Sequence, residues 1–400
     1  MFNKLVLILN CGSSSLKFSV VSSDNYTTKL SGIVEFLNLS QIRFFWKIKK
    51  KEYVRVINKS KSYDYALNYI LTKILKEESK IFNNIACVGH RVVHGGVNLN
   101  KSVLITQEII KLITDACSFA PLHNPINLLG IKASHAVLPH LKEKNVAVFD
   151  TSFHSSIPKF AYLYAIPYKF YKKFGIRKYG AHGISCQYSV CRSSELLQIE
   201  LTSLNIIICH LGGGASVSVV KNGVCVDTSM GLTPLEGLIM GTRSGDIDPS
   251  VIFFMNKQLN LSISTINNIL INKSGLLGLS GVSSDFRNLE SEYNSNIRIK
   301  LAIDMFCYRL SKYISGYMSV VKGKLHGIVF TGGIGENSSL VRSIVISKLA
   351  FLNFKLNSDI NMLMKSGKEG FINIKNTFPI LVIPANEELI IAKESFSEIN

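Results

Sequence analysis

The chain uses one short plan twice, and that repetition limits the folds open to it. From Leu5, LVLILNCGSSSLKFSVV reads as an apolar strand, a turn of small residues, and a second strand in which Leu16, Phe18 and Val20 alternate with Lys17 and Ser19. From Asn205, NIIICHLGGGASVSVVKNG follows the same course. Ile206 to Cys209 reads as a buried strand, Gly212 to Gly214 as a tight turn, and Ala215 to Val220 as an alternating strand ending in an Asn-Gly turn signal. One architecture near the start of each half points to an internal duplication within an α/β chain. A length of 400 residues exceeds the size at which a single core stops growing, so two domains are expected.

The opening run has a competing meaning as the apolar core of an export signal. Such a core needs about 7–15 apolar residues and a small-residue cleavage site. Leu5 to Leu9 is too short, and Asn10 precedes Cys11. The stretch therefore reads as part of the fold, with the cytoplasm as the expected location. No apolar run approaches the ~18 residues of a membrane span. Eight cysteines are scattered without a C-x-x-C pair, and Cys186 and Cys191 near His182 lack a second ligand pair, so reduced thiols are expected. A formal charge of +18 raises nucleic acid as a partner. The dense basic run, however, is KIKKK from Lys47 to Lys51, which sits between apparent strands QIRFFWKI and EYVRVI and reads as a solvated hairpin tip. A basic surface also suits small anionic substrates. Neither nucleic acid nor a membrane is expected as a partner.

Turns of small residues let backbone N–H groups approach an anion and form a concavity for phosphate oxygens. A third such turn lies in GIVFTGGIGENSSLVRSIV, from a strand ending at Phe330 through Gly332, Gly333 and Gly335 into a helical pattern whose first N–H groups can meet a ligand. It lacks the third glycine of a dinucleotide fingerprint and the Lys of a P-loop. Two strand hairpins and a glycine turn point to a different phosphotransfer fold.

These features resemble the superfamily of acetate kinases, sugar kinases, Hsp70 ATPase domains and actin. The strings NCGSSSLKF, GHRVVHGG, FDTSFHSSIP, RKYGAHG, MGLTPLEGLIMGTRSGDIDP, TGGIGENS and NEELIIA resemble the acetate kinase family, in family order along the whole chain. The resemblance implies two duplicated ribonuclease H-like domains with an ATP-binding cleft between them. Residues 1–149, completed by a C-terminal helix over 386–400, would form one, and 150–385 the nucleotide-binding other. It implies reversible transfer of the ATP γ-phosphoryl to acetate, giving acetyl phosphate and ADP, with Mg²⁺ or Mn²⁺ as the metal and a homodimer as the assembly. The alternatives are a propionate or butyrate kinase of the same family and, from a different class, a non-catalytic ATP-binding switch or filament protein of the Hsp70 or actin type.

Phosphoryl transfer spreads negative charge over three oxygens and so requires cationic donors, a metal ion and in-line placement. By resemblance Arg243 stabilises the transition state, His182 donates to a phosphoryl oxygen, and Arg91 contacts the substrate. Asp150 matches an aspartate to which the family gives a proton-transfer role. Acetate is already ionised at pH 7, so orienting a metal-bound water or an arginine would be task enough. Val93, Leu122 and Pro234 fall at the positions of the small apolar pocket, and Asn10 and Glu387 at metal-associated positions. Lys17 matches a nucleotide-binding position, as do His210, Leu211, Gly212, Gly213 and Gly214. The remaining ATP segments match Asp285, Phe286 and Arg287, and then Gly333, Ile334, Gly335, Glu336 and Asn337. Three positions depart from the common family pattern: Gly213 replaces Asn, Cys186 replaces His, and Ile184 replaces Thr.

Overall fold

A computed structural model describes residues 4–12, 15–38, 41–58, 62–322 and 324–400; Ser13 and Ser14 of the first small-residue turn lie outside the described residues. The chain forms two compact units, Met1–Phe153 with Asn386–Asn400, and His154–Ala385.

In the first unit, β1 (Leu5–Cys11), β2 (Ser15–Ser22), β3 (Thr28–Asn38), β4 (Gln41–Ile48), β5 (Lys51–Asn58), β6 (Ile85–Val92), β7 (Val103–Leu104) and β8 (Asn145–Phe149) share one sheet, ordered β5-β4-β3-β2-β1-β6-β8-β7. The run from β1 to β5 is an antiparallel meander. β6 lies parallel to β1, β8 lies parallel to β6, and β7 closes the edge antiparallel to β8. Every β1 residue except Asn10 is buried, as expected of a strand covered on both faces. On one face Leu7, Leu9, Leu16 and Phe18 share a core with Leu67, Ile70 and Leu71. The other face carries the helix Glu387–Glu398, which packs on β1, β6 and β8 through Ile390, Ile391 and Ala392. Burial of each of the two isoleucines contributes about 1.5–3 kcal/mol. Asn386 caps this helix by accepting from Leu389 N at 3.1 Å, and Glu387 in the first turn suits the positive end of the helix dipole.

In the second unit, β9 (Ile206–Leu211), β10 (Ala215–Lys221), β11 (Val224–Thr228), β12 (Gly327–Thr331), β13 (Gly370–Phe371) and β14 (Ile380–Val382) are ordered β11-β10-β9-β12-β14-β13. Asn222 and Gly223 both take positive φ between β10 and β11, the turn that the Asn-Gly pair announces. The helix Ile297–Val320 buries Ile299, Ile303, Phe306, Leu310 and Ile314 at helical spacing in the core that also holds Val217 and Val219 of β10.

Strand for strand, β3-β2-β1-β6-β8-β7 and β11-β10-β9-β12-β14-β13 follow one plan: three antiparallel strands, two parallel additions, then an antiparallel edge. This is the duplicated ribonuclease H-like architecture, with β4 and β5 added to the first copy. In open α/β sheets ligands gather at the carboxyl ends of parallel strands. The first unit places Asn10, Arg91 and Asp150 there, and the second places His210 and Gly332 there. Among the described residues no helix is long and apolar enough to cross a membrane.

Candidate active site

Arg91 organises the residues of the first unit. Its Nε lies 3.1 Å from each Asp150 oxygen and its Nη2 donates to Asp150 Oδ2 at 2.7 Å. Nη1 donates to Asn10 Oδ1 at 3.2 Å and faces Glu387 Oε2 at 3.5 Å. Burial alone would pull the guanidinium down, but the charges of Asp150 and Glu387 more than reverse this and hold it above its ordinary value. Asp150, 1% exposed, is pushed up by burial while Arg91 pulls it down, so each charge of the pair depends on the other. Asn10 Oδ1 and Glu387 Oε2 both face Arg91 Nη1; hard oxygens of this kind suit a divalent cation retaining several waters, which would share them with the guanidinium. Lys17 is the exposed cross-strand partner of Asn10.

Two buried asparagines at the start of the helix Asn124–Val137 fix this arrangement, and sequence patterning did not single them out. Asn127 accepts from Val93 N at 3.1 Å and donates to Cys11 O at 2.8 Å, tying the end of β1 to the chain leaving β6. Asn124 accepts from His94 N at 3.1 Å and donates to His94 O at 2.9 Å. The sequence signal was present, as polar residues three apart opening the apolar run NPINLLG. Of the expected pocket residues in this unit, Val93 is half-buried beside Arg91 and Leu122 is 49% exposed.

In the second unit the loop after β11 carries Pro234 and Arg243. It closes on itself, with Gly237 N donating to Asp246 Oδ1 at 2.7 Å and Asp246 N to Gly237 O at 3.0 Å. Tyr313 from the long helix donates to Asp246 Oδ2 at 2.7 Å and pins the closure. Arg243 Nη1 donates to Pro234 O at 3.1 Å. No carboxylate among the described residues pairs with it, and burial alone draws it below its ordinary value. A sequestered cation with no counter-charge is unfavourable, so this guanidinium is poised for an anion from outside.

His182 stands beside it. The residue takes left-handed backbone angles (φ 60°) at the start of the helix Gly183–Leu197. Its Nδ1 lies 3.0 Å from Ser216 Oγ, and its ring stacks on His210 at 4.2 Å. His210 is held in turn by Ser185 Oγ, 2.9 Å from Nδ1. A Cβ placed on Gly214 would lie 3.2 Å from His182 Nε2 and 3.7 Å from Arg243 Nη1, so the glycine turn brings both donors to one point. Gly241 N donates to Gly213 O at 3.0 Å, and a Cβ on Gly241 would lie 3.3 Å from Ser284 O. The residue before Asp285 thus borders the same turn, whose first glycine, Gly212, donates from N to Gly214 O at 2.9 Å.

The other nucleotide candidates divide by exposure. Leu211, Phe286 and Ile334 are buried, Phe286 against Phe306, so only their backbone groups can face a ligand. Asp285 caps the helix Phe286–Ser291 by accepting from Arg287 N at 3.0 Å and pairs with the exposed Arg287 side chain. Gly332 is required by geometry: at φ 77° a Cβ would lie 2.7 Å from Leu211 O, so the exits of β12 and β9 are in close contact. Asn337 bonds back to Gly333 O at 2.9 Å, and Glu336 Oε1 accepts from Ala385 N at 2.9 Å. Arg342, fully buried, donates to Gly335 O at 2.8 Å and Glu336 O at 2.9 Å and was not foreseen. Its signal was a lone arginine within the apolar run LVRSIVI. The family departures Ile184 and Cys186 lie in the core, whereas a Cβ on Gly213 would meet nothing within 4 Å.

Paired ribonuclease H-like sheets with cationic donors and hard oxygens at their strand ends define the class: the superfamily that includes acetate and sugar kinases. The model of the acetokinase family matches residues 5–393, and the chain belongs to that family. It is 54% identical to the acetate kinase of Buchnera aphidicola subsp. Acyrthosiphon pisum over 100% of this chain and 98% of that one. With the acetate kinase of Escherichia coli (strain K12) it shares 48% identity over 99% of each chain. Among solved structures it matches a propionate kinase from Francisella tularensis at TM-score 0.91 and 40% identity, covering 98% of both chains. It also matches Porphyromonas gingivalis acetate kinase at TM-score 0.90 and 38% identity, over 99% of this chain and 100% of that one. These relatives are kinases, and the switch or filament alternative falls away.

Proposed function

We propose that the chain is an ATP:acetate phosphotransferase, interconverting ATP plus acetate with ADP plus acetyl phosphate by direct in-line transfer. The carrying observation is Arg243, a half-buried guanidinium without a carboxylate partner, held with His182 Nε2 around the Gly214 turn. In the transition state the charge on the equatorial phosphoryl oxygens grows, and donors already in place stabilise it without reorganising. Arg243 and His182 supply those donors. Glycine-turn amides at Gly212 to Gly214 and Gly333 to Gly335, with Lys17, hold the remaining phosphates.

Arg91, clamped on one side by Asp150, contacts the acetate carboxylate through Nη1, which the acid would share with Asn10 and Glu387. Asp150 orients Arg91 and needs to move no proton, because acetate arrives ionised. Mg²⁺, when bound, neutralises phosphate charge; Asn10 Oδ1 and Glu387 Oε2 are the oxygens that would hold it. Val93, Leu122 and Pro234 restrict the acid by size. One methylene changes binding by only about 1–3 kcal/mol, so propionate serves as a weaker second substrate, a reading the likeness to a propionate kinase supports. All eight cysteines are free thiols, which fits work in the cytoplasm. Phe253 and Phe254, each 61% exposed, offer apolar surface to the homodimer expected of the family.

The test incubates the protein with MgATP and acetate, propionate or butyrate in turn, and traps acyl phosphate with hydroxylamine. Acetyl hydroxamate should dominate. A yield no greater than that of an Arg243→Ala control would end the kinase reading, and equal yields from longer acids would change the substrate.

A further inference from the structure

His154 begins the second unit and lies within FDTSFHSSIP, but no role above requires it. Its imidazole is fully buried and engaged at both nitrogens. Nε2 lies 2.9 Å from Ala181 O and Nδ1 lies 3.2 Å from Cys225 Sγ. A carbonyl only accepts, so Nε2 carries the proton and donates it. Nδ1 is then left as an acceptor and faces a thiol that burial pushes well above its ordinary value, so the thiol keeps its hydrogen, which Asp227 O at 3.4 Å also accepts. Burial also draws the imidazole itself down to about 4, so the ring is neutral at pH 7.

The carbonyl that His154 holds belongs to the peptide leading into His182. On either side of Ala181 the backbone is left-handed, with φ 77° at Gly180 and φ 60° at His182, and the latter is a conformation that costs a residue with a side chain free energy. A Cβ on Gly180 would lie 2.6 Å from His154 Cδ2 and 2.7 Å from Cγ, so the ring supports the turn by direct contact. From the other side, Ser216 Oγ fixes His182 Nδ1. The aim of His182 Nε2 past Gly214 thus depends on contacts to its ring, from Ser216 and His210, and on the preceding Ala181 carbonyl that His154 holds.

We propose that His154 is a positioning residue, holding the left-handed turn Gly180–His182 through the Ala181 carbonyl and so aiming His182 at the transferring phosphoryl group. The kinetic half rests on the acetate kinase reading; the spectroscopic half does not. In His154→Gln the side-chain amide can place an N–H where Nε2 now sits, whereas His154→Asn is too short to do so, although both are neutral and polar. Because displacing a catalytic group by about 1 Å costs about 100-fold, the Asn variant should lose about that much kcat with each KM within about threefold, and Gln should recover at least about tenfold of it. In ¹⁵N-edited imidazole spectra the His182 signals should move in Asn and stay near their native positions in Gln. Normal kcat in the Asn variant overturns the proposal. So do equal losses in both variants with unmoved His182 signals, and so does a loss confined to thermal stability. If the wild type makes no acyl phosphate, the functional reading fails, and the spectra still decide the role of His154.

Discussion

Arg91 in the first unit meets two carboxylates, while Arg243 in the second meets none among the described residues. Burial depresses both guanidiniums, yet only Arg91 has neighbours that reverse the effect. A compensated arginine holds its geometry in the free protein. An uncompensated one raises the free energy of the empty site and lowers it again when an anion arrives, so ligand binding should stabilise the second unit with the logarithm of ligand concentration above Kd. The same sheet plan thus supports two kinds of site, one assembled in advance and one completed by its substrate.

Removing each arginine should separate the two most sharply. Arg243→Ala should lower kcat by about 10³-fold or more, as for other arginines placed on a transferring phosphoryl group. Its melting temperature should hold or rise, because a half-buried unpaired charge has gone. Arg91→Ala should also abolish useful turnover, but it strands Asp150 and should destabilise the protein by about 3 kcal/mol. Kinetics and thermal melts on the two variants check this, and equal melting shifts would erase the contrast.

Acid should act on both units alike. His90 in the first unit and His154 in the second are buried histidines drawn from 6.5 to about 4. Between those values the unfolded chain binds more protons than the folded one, so the contribution of these residues is intact above pH 6.5 and is lost as pH falls toward about 4. Two such groups add a slope of about 2.7 kcal/mol per pH unit within the window. Urea titrations across that range should show it. The slope should shrink by about half in a folded His90→Asn variant, and an unchanged slope would remove His90 from the account.

The smallest effects lie in the glycine turn. Gly214→Ala puts a methyl against His182 Nε2 and Arg243 Nη1 and should cost about 10–100-fold in kcat with little change in stability. Gly213→Asn enters open space and should leave kcat within about threefold. Steady-state rates on the two variants are the check, and a reversed order would misplace the reacting group.

The twin hairpins and the Asn-Gly turn were legible in the sequence because strand alternation and turn chemistry are local. The β7 and β13 edges are two residues long and carry no such pattern. Residues named by resemblance at β1, β6 and β8 fall at strand ends, where side chains meet ligands. Asn124, Asn127, His154 and Arg342 were passed over because their work consists of hydrogen bonds to distant backbone groups. A polar residue in an apolar run announces that it needs partners without saying which, and Asn127 finds its partner 116 residues away at Cys11.

The most direct test is a crystal structure with MgADP, acetate and aluminium fluoride, which imitates the phosphoryl group in flight. Arg243 Nη1 and His182 Nε2 should both donate to fluoride. A fluoride bound by neither, or Arg243 drawn onto a protein carboxylate, would contradict the claim that this guanidinium is kept unpaired for the transferring phosphoryl.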